Sequence, residues 1–132
     1  MVLIDSNILL DIWQNDPHWA PGSTKALQIL AATDELAINT VVFAEASVRF
    51  PSHLVVEKAL TDLGISLLEI PNEAAFLAGK AFLLYRKKGG TRTSVLGDFF
   101  IGAHASVLAC PILTRDDSRY RTYFPSVPLI TP

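Results

Sequence analysis

The chain opens on three apolar residues, Val2-Leu3-Ile4, cut off by an acid, Asp5. A short, wholly apolar, β-prone run suits a strand covered on both faces, as inside a parallel sheet. Similar runs recur at residues 36–38, 65–70, 111–114 and 127–130. The stretches between them read as helices. One carries Leu27, Leu30 and Ala31 on a single face, follows a loop marked by Pro17, Pro21 and Gly22, and takes Ser23 or Thr24 as its cap. A second runs over 41–50, capped by Thr40 and stopped by Pro51, and a third runs over 52–63 and closes at Gly64. A fourth, over 73–86, is capped by Asn72, and a fifth is opened by Asp98 and reaches about Ala109. Strands alternating with helices predict one α/β domain around a parallel sheet, spanning residues 1–132.

In such sheets function gathers beyond the carboxyl ends of the strands. Asp5 lies just past the first strand and Asp116 just past the fourth. Glu45 stands in Val41-Val42-Phe43-Ala44-Glu45-Ala46, where an acid is costly unless it faces solvent or a cation. Asp98 precedes Phe99-Phe100-Ile101 at an expected helix start, where an aspartate is ordinarily a cap. Taken singly, each acid has a plain structural explanation as a turn, a cap or a solvated position. Together they form an all-oxygen donor set of the kind hard divalent cations require, which points to Mg²⁺ or Mn²⁺. A single cysteine, Cys110, excludes both an internal disulfide and a cysteine-based zinc site. His18, His53 and His104 are scattered. His104 falls six residues after Asp98, about 240° round a helix of ~3.6 residues per turn, which predicts a structural or interfacial role away from the acids.

Charge leaves an anionic substrate open. The net charge is −2, yet seven of the eleven basic residues (Arg86, Lys87, Lys88, Arg92, Arg115, Arg119, Arg121) fall between positions 86 and 121. Setting aside the four acids above takes four negative charges from that −2 and leaves the rest of the chain at +2. No apolar run approaches the roughly 20 residues that span a bilayer, and the opening lacks the basic start of a signal peptide. The cell interior, the cytoplasm, is the expected compartment.

Four blocks carry a family likeness: Val2-Leu-Ile-Asp5-Ser6-Asn7; Asn39-Thr-Val-Val-Phe-Ala-Glu45; Gly97-Asp98-Phe-Phe-Ile-Gly-Ala-His104-Ala105; and Ile112-Leu-Thr114-Arg115-Asp116. With them the chain resembles PIN-domain proteins, specifically the VapC-type toxins of toxin–antitoxin pairs. The tail Arg119-Tyr-Arg-Thr-Tyr-Phe-Pro125, followed by Leu129-Ile130, is similar to one branch of that group. The resemblance implies a sheet ordered 3-2-1-4-5 and an endoribonuclease that uses Mg²⁺ or Mn²⁺. It also implies an antitoxin partner and a homodimer. Carried over by position, Asp5, Glu45, Asp98 and Asp116 match the acidic quartet, and Asn7 and Thr114 match supporting polar positions. Asp117 competes with Asp116 for the fourth place. Arg86, Lys87, Lys88, Arg92 and Arg115 are candidates to hold RNA phosphates, although residues 86–92 equally suit a solvated helix end. For Arg119 and Arg121, packing of the tail or a dimer contact competes with RNA.

Three other readings stay open. A signalling receiver domain also holds Mg²⁺ in an acidic pocket, but it wants a late lysine, and this chain has none after Lys88. A PIN nuclease of RNA processing would work without an antitoxin. A non-catalytic module would keep the acids only to bind a metal or a basic peptide.

Overall fold

A computed structural model describes residues 1–132. Five strands, β1 (Val2–Ile4), β2 (Leu36–Asn39), β3 (Ile65–Leu68), β4 (Ile112–Leu113) and β5 (Leu129–Ile130), form one sheet in the order β3-β2-β1-β4-β5. Every neighbouring pair is parallel. This is the expected α/β architecture and strand order. Strands β1 and β4 are wholly buried, which accounts for their uninterrupted apolar composition.

Seven helices connect and cover the sheet: α1 (Ser6–Trp13), α2 (Ala20–Ala31), α3 (Thr40–Ser47), α4 (His53–Asp62), α5 (Asn72–Lys87), α6 (Leu96–Leu108) and α7 (Ser118–Tyr123). No helix is long and apolar enough to cross a membrane. Several boundaries differ from expectation for identifiable reasons. The cap of α3 is Asn39, not Thr40: its Oδ1 accepts from the backbone N–H of Val41 and Val42, both at 3.1 Å. Helix α2 begins at Ala20, so Pro21 and Gly22 lie in its first turn, where a proline's missing N–H costs nothing. Ser23 caps nothing and is buried against Asp11 instead. Asn72 is the first residue of α5 and makes no side-chain cap. Helix α6 starts at Leu96, which places Asp98 inside its first turn, and it ends on Ala109 in the left-handed conformation (φ 52°).

Two arrangements hold the elements that carry the acids. Phe82, Tyr85, Phe99, Tyr123 and Phe124 form an aromatic cluster joining α5, α6 and the end of α7, with ring centroids 5.1–6.3 Å apart. Gly102 lets Phe124 lie directly on α6, since a Cβ there would stand 2.3 Å from the ring. Asn39 also presents its Nδ2 to His104 Nδ1 at 3.3 Å, buried between α3 and α6. The Asn39 oxygen is already occupied as an acceptor. His104 therefore accepts at Nδ1 and is neutral, and its burial pushes its pKa down in the same sense.

Candidate active site

Parallel pairing sets the centre of the site. Ile4 lies opposite Leu113 in the β1–β4 register, so the next step brings Asp5 beside Thr114 at the carboxyl ends of both strands. The Asp5 N–H donates to the Leu113 carbonyl at 2.9 Å, continuing that ladder. Thr114 Oγ1 donates to Asp5 Oδ2 at 2.8 Å, and the Tyr120 hydroxyl reaches the same oxygen at 2.8 Å. Ser6 Oγ and Asn7 Nδ2 add longer contacts of 3.4 Å each. Asn7 also donates to Thr114 Oγ1 at 3.2 Å and accepts the Arg115 N–H at 3.4 Å. Asp5 is thus a buried carboxylate held by several donors. Burial still outweighs them and raises its pKa.

Glu45 projects from α3 toward the same place. Its Oε1 is buried and has no hydrogen-bond partner. Its pKa is pushed up to about 7, first by burial and then by the negative charges of Asp5 and Asp98, with Ser6 opposing. Gly97 leaves room for it, because a Cβ at that position would come within 3.3 Å of Glu45 Oε2. Asp98, one residue on, is raised by burial and by Asp5, while the Arg119 guanidinium on its Oδ2 lowers it. Asp116 sits on the exposed side and also acts on Asp98. Its backbone N–H donates to Thr114 Oγ1 at 3.1 Å, and Ser118 Oγ donates to its Oδ1 at 3.3 Å. Asp117 is turned into a pair with Arg121, whose Nη2 lies 2.7 Å from its Oδ2. Asp5 and Asp98 thus act on Glu45, Asp5 and Asp116 act on Asp98, and Asp117 is engaged with Arg121 on the outer face of α7.

Three contacts escape a reading of the sequence. Tyr120 is fully buried, and α7, which carries it, is only six residues long and mostly polar in sequence. Arg119 meets Asp98 from the same helix. Asp11, buried at 3% exposure, binds Arg115 through two contacts, Nε–Oδ2 at 2.9 Å and Nη2–Oδ1 at 3.2 Å, and accepts from Ser23 at 3.3 Å. The Arg115 guanidinium also lies 5.0 Å from the centre of the Trp19 ring. Its charge is matched within the protein. Arg86, Lys87 and Lys88 are exposed at the end of α5 and Arg92 in the loop beyond it, with Arg86 over Phe82 at 5.0 Å and Lys88 over Tyr123 at 5.4 Å.

No three carboxylate, imidazole or thiol groups converge closely enough to ligate one ion as they stand. Two observations nevertheless fit a hard cation. The donors that face one another are all carboxylates, and the buried Glu45 Oε1 has no partner of its own. The largest concavity, about 560 Å³ between α4 and β3, contains none of the four acids.

A parallel five-stranded α/β domain with Asp5 just beyond β1 and Asp116 just beyond β4 defines the class. The chain belongs to the PIN domain family, whose model matches residues 2–125. Its fold is similar to that of a chain in VapBC2 from Rickettsia felis, solved bound to a DNA fragment from their promoter. The TM-score is 0.74 at 17% identity, covering 100% of this chain and 99% of that one. VapBC-1 from nontypeable Haemophilus influenzae gives 0.72 at 17% identity over 99% and 98% of the two chains. A toxin–antitoxin complex from Klebsiella pneumoniae gives 0.68 at 20% identity over 100% and 98%. No curated protein matches the sequence.

Proposed function

We propose that this PIN domain is a divalent-metal-dependent endoribonuclease and the toxin of a toxin–antitoxin pair, acting in the cytoplasm. The observation that carries the metal-dependent part is the Glu45 Oε1 atom, buried without a partner beside two further carboxylates. An unpaired buried acid is costly, and a cation is the partner that an all-carboxylate surrounding requires. Likeness in fold to chains of VapBC and other toxin–antitoxin complexes supports the toxin and antitoxin part.

In this reading Asp5, Glu45, Asp98 and Asp116 hold Mg²⁺ or Mn²⁺. When bound, the ion supplies an activated water and offsets charge on the phosphoryl oxygens. The protein's own groups do the positioning. Thr114 and Tyr120 both donate to Asp5 Oδ2, which keeps that oxygen turned inward and directs the other toward the site. Asn7 braces Thr114, and the backbone of Asp116 is fixed on the same threonine hydroxyl. The exposed basic end of α5 (Arg86, Lys87, Lys88) and Arg92 beyond it offer charge to an RNA backbone, which contributes affinity with little sequence information.

Expression in a bacterial host followed by mapping of RNA 5′ ends tests this reading. Growth arrest with new, discrete 5′ ends is expected for wild type, with neither for Asp98→Asn. Arrest by both proteins, or arrest without new ends, would remove the ribonuclease-toxin reading.

A further inference from the structure

The salt bridge between Arg119 and Asp98 joins the one cation of α7 that faces inward to a proposed metal ligand. The other arginines of this region are paired elsewhere, Arg115 with the buried Asp11 and Arg121 with Asp117. Four acids thus share a single resident positive charge, and the Glu45 oxygen is left without any. The pair is also accessible: the two side chains keep 23% and 27% of their exposure, so water can replace either partner.

We propose that Arg119 is a displaceable counter-ion, holding Asp98 in the cation-free protein and released from it when a divalent cation binds. This rests on the metal-dependent reading of the site. Arginine and metal need the same carboxylate oxygens, and a guanidinium and a metal ion repel at close range. A divalent ion would have the advantage of a second charge, and the acids that would hold it include Glu45, whose buried oxygen has no partner, besides Asp98. Release requires only rotation of the Arg119 side chain. The backbone of α7 is pinned by Tyr120, whose ring is buried and whose hydroxyl is bonded to Asp5. Competition of this kind sets a threshold: the site fills only when the free cation is concentrated enough to displace the arginine.

Titration of ¹⁵N-labelled wild-type protein with Mg²⁺ provides the test, following the arginine Nε–Hε resonances and the backbone amides of Asp5 and Asp98. The Arg119 resonance is expected to move in step with the Asp98 amide, while Arg115, bound to Asp11, stays fixed. In calorimetry with Mn²⁺, folded Arg119→Gln is expected to bind about tenfold more tightly than wild type, and Arg119→Lys to fall between. Should the glutamine variant not fold, the wild-type titration decides alone. An unmoved Arg119 resonance at saturating Mg²⁺, or a folded glutamine variant that binds no more tightly, overturns the proposal and leaves the metal site standing. If no Asp5 or Asp98 amide responds to Mg²⁺, the metal-dependent reading falls and takes this one with it.

Discussion

The Tyr120 hydroxyl and the Asp5 carboxylate are 115 residues apart in sequence, yet they meet in a buried hydrogen bond of 2.8 Å. This bond ties the last helix to the first strand and settles which Asp5 oxygen is occupied. The phenol's own pKa is pushed well above its usual value by burial and by the surrounding acids, so Tyr120 remains a donor at any working pH. Tyr120→Phe removes a hydrogen bond to a charged group and leaves Asp5 with one strong donor. A loss of about 1–2 kcal/mol in stability is expected, with a roughly tenfold fall in activity at unchanged substrate affinity. Chemical denaturation and kcat against KM check the two parts separately.

Burial of the acids also makes stability depend on pH. Folding raises the pKa of Glu45 to about 7, and those of Asp5 and Asp98 also rise. The folded state therefore holds more protons than the unfolded chain, and metal-free stability falls as pH rises from the ordinary carboxylate range through about 7. After discounting for its partial exposure, Glu45 alone accounts for about 1–2 kcal/mol of this change. Thermal melts in EDTA between pH 5 and 8 are expected to show a falling Tm. Mn²⁺ is expected to reverse the trend, since metal binding favours the deprotonated acids.

How much of this was legible in the sequence depends on whether a contact is local. Asp5 and Asp116 stand out because apolar strands end beside them, and Glu45 because it interrupts an apolar helix. The strand order follows from the family likeness, and the structure bears it out. What the sequence hides is tertiary. Asp11 reads as one polar residue in an apolar run, and nothing local shows that its partner is Arg115, 104 positions away. Helix α7, six residues long, is too short for periodicity to reveal. The cap of α3 falls one residue before the expected Thr40 because Asn39 and Thr40 are both good capping types.

Arg115 separates a strut from a nucleic-acid contact. Arg115→Ala leaves Asp11 buried without its cation, and a loss of about 2 kcal/mol is expected after allowing for the one-third exposure of the arginine. Asp11→Asn, which removes the other partner, is expected to destabilise in the same direction. If Arg115→Ala melts like wild type but weakens RNA binding, Arg115 serves the substrate rather than the loop that carries Asp116.

Gly102 tests the packing that seats α7. Gly102→Ala drives a methyl group into the Phe124 ring and is expected to cost about 1–3 kcal/mol, measured by urea denaturation. Coupling it to Phe124→Leu is expected to recover part of that loss.

The most direct measurement incubates purified protein with a structured RNA in Mn²⁺, in Mg²⁺ and in EDTA, beside folded Asp5→Asn and Asp98→Asn variants. Cleavage by wild type in either cation, its absence in EDTA, and a loss of at least about a hundredfold in both variants is the expected result. Undiminished cleavage in EDTA, or persistent cleavage by both folded variants, would contradict a carboxylate-held metal as the source of the activity.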